Sequence, residues 1–157
     1  MIKEINIKFG VYVKPVGFGD ARPGSNYSKY KETIRYGAQQ QKIRIETELV
    51  SLYAIVNLHK SRFFTRDLKE KKGNDGDNLL KAIPDGLCDF DGNGTEPFRP
   101  GILRCESQIK LHTIEVKEIS NDEEENVIIQ LTNYTSSSDD LKNNIILNNK
   151  MYRSKRK

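Results

Sequence analysis

The stretch that decides the fold is Glu48-Leu-Val-Ser-Leu-Tyr-Ala-Ile-Val-Asn-Leu-His-Lys60, near the middle of the chain. Valine, isoleucine, leucine and tyrosine dominate it. β-Branched and aromatic residues are enriched in strands, and an apolar run of this kind is typical of a buried one. We therefore predict that residues 48–60 form the central strand of a sheet, and the remaining elements are placed around it.

Two elements are predicted before this strand. Residues 5–13 alternate apolar side chains with other residues, which indicates a strand. A segment rich in Gly, Pro, Ser and Asn follows and is typical of a loop. Residues 29–44 contain good helix formers, with apolar side chains four apart, and predict a helix with Ser28 as its N-cap. Gly37 is unfavourable inside that helix because glycine has a low helix propensity.

Three elements are predicted after the central strand. Residues 77–83 read as a short amphipathic helix. Because proline strains a helix interior, this helix either ends before Pro84 or a second turn starts there. Residues 108–119 alternate apolar and polar side chains and predict a half-buried strand. A polar turn separates them from the strand at residues 127–134, so we expect the two strands to form a hairpin.

The predicted order is strand, helix, strand, helix, strand, strand. This order favours a single α+β domain, or an α/β one, in which helices flank one mixed sheet. We place this domain at residues 1–134. Residues 135–157 are rich in Ser, Asn, Asp and Lys, so they are predicted to be a polar and basic tail that is disordered or folds onto a partner.

Composition limits the class of protein. The 157 residues are 36% hydrophobic and 31% charged, with no Trp, which is typical of a soluble protein with a modest core. Neither a run of about 18 apolar residues nor a signal-peptide pattern is visible, so we expect a cytoplasmic protein without a membrane partner. Cys88 and Cys105 have no zinc-ligand spacing and are predicted to be reduced thiols.

The net charge of +4 is unevenly distributed. Basic residues cluster within segments 29–35, 60–72 and 150–157. Such clusters are either solvated faces or the contact surface for an anionic partner such as nucleic acid. The charge pattern does not choose between these two interpretations.

The run Asn74-Asp-Gly-Asp-Asn-Leu-Leu-Lys81 places Asp75 and Asp77 at a predicted helix start. Acids there cap free N–H groups and interact with the helix dipole, which stabilises a helix by about 0.3 to 1 kcal/mol per charge. Alternatively, the two carboxylates hold a divalent cation and leave positions open for water and a phosphate oxygen. Glu106 can then supply a third oxygen ligand, and Lys81, one turn after Asp77, can reach the phosphate.

These residues resemble the pattern of the RusA family of Holliday junction resolvases, which is D-x-D-N-x-x-K, then D-A-L, then D-D-x-Q-V entering a strand. The matching segments of this chain are residues 75–81, 85–87 and 106–109. The amino-terminal layout is similar as well, with a strand, a Lys-Pro turn and an Arg-Pro pair. The resemblance extends from about residue 5 to about residue 131 and leaves the carboxy-terminal tail outside.

The resemblance implies a RusA-like fold and a homodimeric endodeoxyribonuclease. Such an enzyme resolves four-way DNA junctions in recombination and repair with Mg²⁺ or Mn²⁺, and it needs no small-molecule cofactor. The resemblance assigns Asp75, Asp77 and Glu106 as catalytic metal ligands and Lys81 as the catalytic lysine. The chain departs from the family pattern at the acid pair, where Cys105 and Glu106 replace two aspartates. A second hypothesis is therefore a junction-binding protein whose cleavage is weakened or lost.

The Gly- and Pro-rich segment before Glu106, residues 89–101, is called the excursion here and contains a rival motif. Residues 89–94, Asp-Phe-Asp-Gly-Asn-Gly, resemble the opening of an EF-hand calcium loop. However, the twelfth position is Pro100, where a calcium loop needs a bidentate glutamate, and flanking helices are not predicted. We favour a surface turn. Asp85 is also acidic and close to the motif, but its helical phase favours a structural role.

Overall fold

A computed structural model describes residues 4–17, 24–63, 76–92, 94–134 and 150–154, and for residues 76 and 77 it describes the backbone alone. Its helices and strands, in chain order, are β1 (Asn6–Tyr12), α1 (Asn26–Gln39), β2 (Val50–His59), α2 (Gly76–Leu80), α3 (Ala82–Leu87), β3 (Ile109–Ile119), β4 (Asn126–Asn133) and β5 (Met151–Arg153). Two 3₁₀ turns, Lys60–Arg62 and Glu106–Gln108, adjoin strands β2 and β3. The predicted α+β class with one mixed sheet is confirmed.

The five strands lie in the order β3-β2-β4-β1-β5. β2 pairs parallel with β3 and antiparallel with β4, while β1 pairs antiparallel with β4 and parallel with β5. As predicted, the apolar segment forms an interior strand. Its residues Leu52, Ala54 and Val56 are completely buried, and they belong to the core that the sheet shares with the helices.

The predicted hairpin between the last two strands of the domain is wrong. β3 and β4 do not pair with each other, because β2 lies between them. The polar connection at residues 120–125 has six residues and can span up to about 20 Å when extended. Two strand spacings amount to about 10 Å, so this connection is long enough to cross one strand.

Helix α1 begins earlier than predicted and packs closely on the sheet. Its N-cap is Ser25, whose hydroxyl accepts a hydrogen bond of 3.1 Å from the Ser28 backbone N–H, and not Ser28 itself. Gly37 lies against β1, where an added Cβ would be 2.6 Å from Cγ1 of Val11 and 2.9 Å from the ring of Phe9. The glycine that is unfavourable for helix propensity therefore permits close contact between helix and sheet.

Helices α2 and α3 follow each other almost without interruption. Lys81 lies between them with helical φ and ψ of −55° and −38°. Pro84 lies in the first turn of α3, where its missing N–H removes no intrahelical bond. A second helix is thus present, as in the second alternative, but it starts at Ala82 and not at Pro84. α3 packs on α1 at Gly86, where a Cβ would lie 2.6 Å from the carbonyl oxygen of Lys31.

Part of the predicted tail belongs to the sheet. Residues 151–153 form β5, and the backbone N–H of Gly10 donates to the carbonyl of Lys150 at 2.9 Å. The prediction of disorder is therefore wrong for this short segment, while residues 135–149 and 155–157 lie outside the described residues. In the described part of the chain, no helix is both long and apolar enough to cross a membrane.

Candidate functional site

The structure describes the four predicted site residues to different extents. Asp75 lies outside the described residues, and Asp77 is described only as a backbone position in α2. Lys81 is exposed and, because its backbone is helical, it lies one turn after Asp77 as predicted. Glu106 is exposed and begins the 3₁₀ turn directly before β3. Helix α2 contacts both α3 and β3, the strand that directly follows the turn carrying Glu106.

Gln108 holds the turn that carries Glu106. This side chain is only 5% exposed, and its oxygen accepts hydrogen bonds from the backbone N–H groups of Arg104 at 2.7 Å and Cys105 at 3.1 Å. Its amide nitrogen donates to the carbonyls of Ile45 and Glu48, each at 3.2 Å. Gln108, the glutamine of the sequence motif, therefore has a structural role. Its hydrogen bonds join the turn that carries Glu106 to the segment leading into β2.

Glu106 faces a cavity of about 420 Å³ that α3 and the excursion also line. Asp85 of α3 lines the same cavity, as do Asp89 and Asp91 of the excursion, so four carboxylates line it, three of them on exposed residues. Basic side chains surround them, with Lys31 and Arg35 from α1 and Arg104 from the turn. The cavity thus combines hard oxygen ligands with cationic groups that can attract a phosphate.

Tyr27 connects α1 to Asp85 at this cavity. Its side chain is 3% exposed, and its hydroxyl donates a hydrogen bond of 2.9 Å to Oδ2 of Asp85. Burial, this hydrogen bond and the negative charges of Asp85 and Glu106 all raise the pKa of Tyr27 well above its ordinary value. The hydroxyl therefore stays protonated and remains a donor to Asp85 at neutral pH.

Arg35 fixes the end of α3 beside the cavity. It is 2% exposed and donates to the carbonyl of Asp85 at 2.6 Å, to the carbonyl of Cys88 at 3.1 Å and to the carboxylate of Glu32 at 2.6 Å. Arginine suits this position because its planar guanidinium offers several donors in a fixed geometry. The backbone that carries Asp85 is thereby held against α1.

The two cysteines near the cavity are free thiols with different surroundings. Burial, assisted by the negative charge of Glu106, raises the pKa of Cys88 to about 12. Cys105 is exposed, and its sulfur lies 2.9 Å from the hydroxyl of Ser107, a contact that lowers the pKa of its thiol. Cys105 therefore faces solvent beside Glu106 and is not buried in the core.

The excursion is a turn that side-chain and backbone hydrogen bonds hold in place. Both carboxylate oxygens of Asp89 accept hydrogen bonds from Arg44, at 2.5 and 2.8 Å, and one also accepts from the backbone N–H of Gly101 at 2.8 Å. Phe90 and Arg99 exchange two backbone hydrogen bonds of 2.8 Å, and the Arg99 guanidinium covers the Phe90 ring. Because Arg44 occupies the carboxylate that would open a calcium loop, these contacts favour the surface-turn interpretation.

The Asp89→Asn variant should lose stability in a pH-dependent way. Arg44 holds the pKa of Asp89 below its ordinary value, so the ion pair stabilises the fold at pH values above the unfolded pKa of about 3.9. This stabilisation disappears as the pH falls through the folded-state pKa. Because Arg44 is partly exposed, we expect a deficit of only about 1 to 2 kcal/mol at pH 7.

Urea denaturation at pH 7 and pH 3 measures this deficit. The gap between wild type and Asp89→Asn should be largest at pH 7 and smaller at pH 3, because part of the stabilisation is lost below the unfolded pKa. Asp91→Asn is the control, since Asp91 is an exposed neighbour in the same turn, and we expect it to unfold as the wild type does at both pH values. A gap that is equal at both pH values would contradict the role assigned to the ion pair.

The predicted metal site lies only partly within the described residues. Among them, no group of three or more His, Cys, Asp or Glu side chains is close enough to hold a metal ion. This statement covers Glu106 alone among the three predicted ligands, because the side chains of Asp75 and Asp77 are not described. The carboxylates of Asp85, Asp89, Asp91 and Glu106 line one cavity without forming such a group.

The sequence matches no known family model and no curated protein. The resemblance to the RusA family therefore rests on the residue pattern at segments 75–81, 85–87 and 106–109.

Three residues of the candidate site were not predicted to be functional. Asp85 was assigned a structural role, and neither Tyr27 nor Arg35 was singled out. Their contacts join residues 50 or more positions apart, such as Tyr27 and Asp85. No local pattern signals such contacts. The one available hint is the position of Asp85 within the D-A-L element of the family pattern.

Proposed function

We propose that the protein is a metal-dependent endodeoxyribonuclease of the RusA type that cleaves four-way DNA junctions as a homodimer. The observation that carries this proposal is that Glu106 and Asp85 line one open cavity together with basic side chains. α3, which lines the cavity, directly follows α2, the helix whose start bears the Asp75 and Asp77 motif. A helix cap alone would need no acid from a turn about 30 residues further along the chain.

The described donors fit a hard divalent cation. Carboxylate oxygens are the ligands that Mg²⁺ and Mn²⁺ prefer, and Mg²⁺ keeps several of its waters, which suits an open cavity. Glu106 and Asp85 line the same cavity, and a bound cation would offset their negative charge. Asp75, Asp77 and Glu106 would hold it.

The chain's own residues would bind and orient the DNA. A metal ion held by Asp75, Asp77 and Glu106 would supply activation of a water and neutralisation of the leaving oxygen. Lys81, one turn after Asp77, is assigned to stabilise the charge that develops on the scissile phosphate. Lys31 and Arg104 at the cavity rim would contact backbone phosphates, which gives affinity that depends on salt and not on base sequence.

The second candidate is a junction-binding protein with weak or absent cleavage. Two positions favour it, since Glu106 reaches one methylene farther than the aspartate of the family pattern and Cys105 replaces an acid. Gel-shift binding of a junction without any metal-dependent product would support this candidate. Recovery of cleavage by Glu106→Asp would locate the cause at that longer side chain.

Incubation of the purified protein with a synthetic four-way junction and Mg²⁺ tests the first candidate. We expect symmetric nicks from the wild type, none with EDTA, and a loss of about a hundredfold or more in Asp77→Asn, because metal-assisted catalysis contributes several kcal/mol. Asparagine has nearly the size of aspartate and a similar helix propensity, so α2 should be preserved. Absence of nicking by the wild type, or equal nicking by Asp77→Asn, would refute the proposal.

A further inference from the structure

We propose that the edge of the sheet formed by β5 is a second DNA-contact surface, on which Lys150 and Arg153 bind phosphates of the DNA backbone. This inference rests on the proposed function and adds a surface that lies apart from the cavity. It also assigns a partner to described residues of the carboxy-terminal basic cluster, for which the sequence leaves a solvated face and an anionic partner as alternatives.

The first support is that β5 is docked on β1 in a defined register. Met151 pairs with Gly10 and Arg153 pairs with Tyr12, and the Gly10 backbone N–H donates to the carbonyl of Lys150 at 2.9 Å. The Met151 side chain lies directly on Gly10, where any Cβ would collide with its sulfur. Lys150 and Arg153 are therefore fixed at a sheet edge.

The second support is that tyrosine rings hold both cations in place. The Arg153 guanidinium lies 4.5 Å from the centroid of the Tyr12 ring, and Nζ of Lys150 lies 5.5 Å from the centroid of the Tyr152 ring. An aromatic face attracts a cation without neutralising its charge. Both basic residues are exposed, so they present positioned positive charges, which lowers the ordering cost of binding an anion.

Glu124 reduces the positive charge of this surface but leaves Arg153 able to bind a phosphate. The forked contact joins Nη1 and Nη2 of Arg153 to the two carboxylate oxygens of Glu124, at 2.5 and 2.7 Å. It uses two of the five N–H donors of the guanidinium, so further donors can reach a phosphate. Because both side chains are at least half exposed, the ion pair is weak and screened by salt.

The third support is the placement of the two cations along the strand. Side chains alternate between the faces of a strand, so Arg153 lies on one face and Lys150 on the other. The three residues from Lys150 to Arg153 span about 10 Å, and in the described sheet no further strand pairs with β5. DNA carries one phosphate per about 3.4 Å of axis along each strand, so a backbone along this edge brings phosphates to both cations.

The salt dependence of junction binding tests the inference without cleavage. Fluorescence anisotropy of a labelled four-way junction, measured in EDTA at several NaCl concentrations, gives the slope of log K against log salt. Each phosphate contact contributes about 0.9 to this slope, which corresponds to about eightfold in affinity at 0.1 M NaCl. We expect Lys150→Met and Arg153→Met each to lower the slope by about 1, and the double variant to lower it by about 2.

Two further variants identify the cause of the effect. Arg153→Lys keeps the charge, so it should retain the slope of the wild type. Lys117→Met is the matched control, because Lys117 also lies beside a carboxylate, that of Glu115 at 3.7 Å, but on β3 at the opposite edge of the described sheet. We expect this control to bind as the wild type does, and thermal melting followed by circular dichroism checks that every variant folds.

The outcomes separate the inference from the proposed function. If the wild type binds and cleaves the junction while the Lys150 and Arg153 variants keep its slope and affinity, the inference is wrong and the nuclease proposal stands. If Lys117→Met lowers the slope as much as Arg153→Met does, the effect reports overall charge and the inference is likewise wrong. If the wild type binds no junction, the proposed function and the inference both fail.

Discussion

Glu106→Gln should fold as the wild type does and lose metal-dependent junction cleavage by about a hundredfold or more. Glutamine keeps the size of the side chain and removes its charge, and the turn that carries Glu106 is held by Gln108 and not by Glu106 itself. Metal-assisted stabilisation of a phosphoryl transition state contributes several kcal/mol, and each 1.36 kcal/mol changes the rate about tenfold. Single-turnover cleavage of a labelled junction measures the loss.

Two further variants make this result specific. Glu106→Asp keeps the charge, so it should retain cleavage or raise it. Glu118→Gln removes an exposed carboxylate at the other end of β3, and we expect it to cleave normally. If Glu106→Gln cleaved at the rate of the wild type, the carboxylate would have no part in the reaction, and the cation site would have to lie elsewhere.

Arg35→Met should give the largest loss of stability. Methionine fills a similar volume but leaves the carbonyls of Asp85 and Cys88 without their guanidinium donors, and it leaves Glu32 without this partner. Removing one partner from a buried charged network typically costs about 3 to 5 kcal/mol. For a protein of this size each kcal/mol shifts Tm by about 2 to 4 °C, so we expect Tm to fall by about 10 °C.

An exposed arginine provides the comparison. Arg153 also makes a two-pronged contact with a carboxylate, that of Glu124, but both side chains are exposed. We therefore expect Arg153→Met to melt close to the wild type. Arg35→Lys keeps the charge and loses the forked geometry, so it should fall between wild type and Arg35→Met. Equal melting temperatures for Arg35→Met and wild type would show that the α3 carbonyls find other donors.

Local patterns in the sequence predict where the helices and strands lie better than they predict which strands pair. Strands β1 and β2 lie within the predicted segments 5–13 and 48–60 because alternation and apolar runs report directly on burial. The same patterns do not show which strands pair. A polar turn between two strand-like segments is typical of a hairpin, yet the six residues at 120–125 carry the chain across β2.

In the candidate site, too, local features are predicted from the sequence and long-range contacts are not. The position of Glu106 directly before a strand was predicted from the order of motif and excursion along the chain. The acidic neighbour of Glu106, Asp85, was assigned a structural role because its helical phase is local information. Its contact with Tyr27 depends on how α1 crosses α3, which is set by close packing at Gly86 and not by any spacing in the sequence.

The strand order has a consequence for the time course of folding. In the described sheet, β1 and β2 are not neighbours, and each pairs with β4, which is made about 70 residues after β2. Every strand pairing therefore closes a long loop, and such non-local topologies fold slowly. During synthesis, the apolar β1 and β2 leave the ribosome well before β4. Their unpaired edges are therefore exposed to incorrect association until the last third of the chain, which contains β4, has been made.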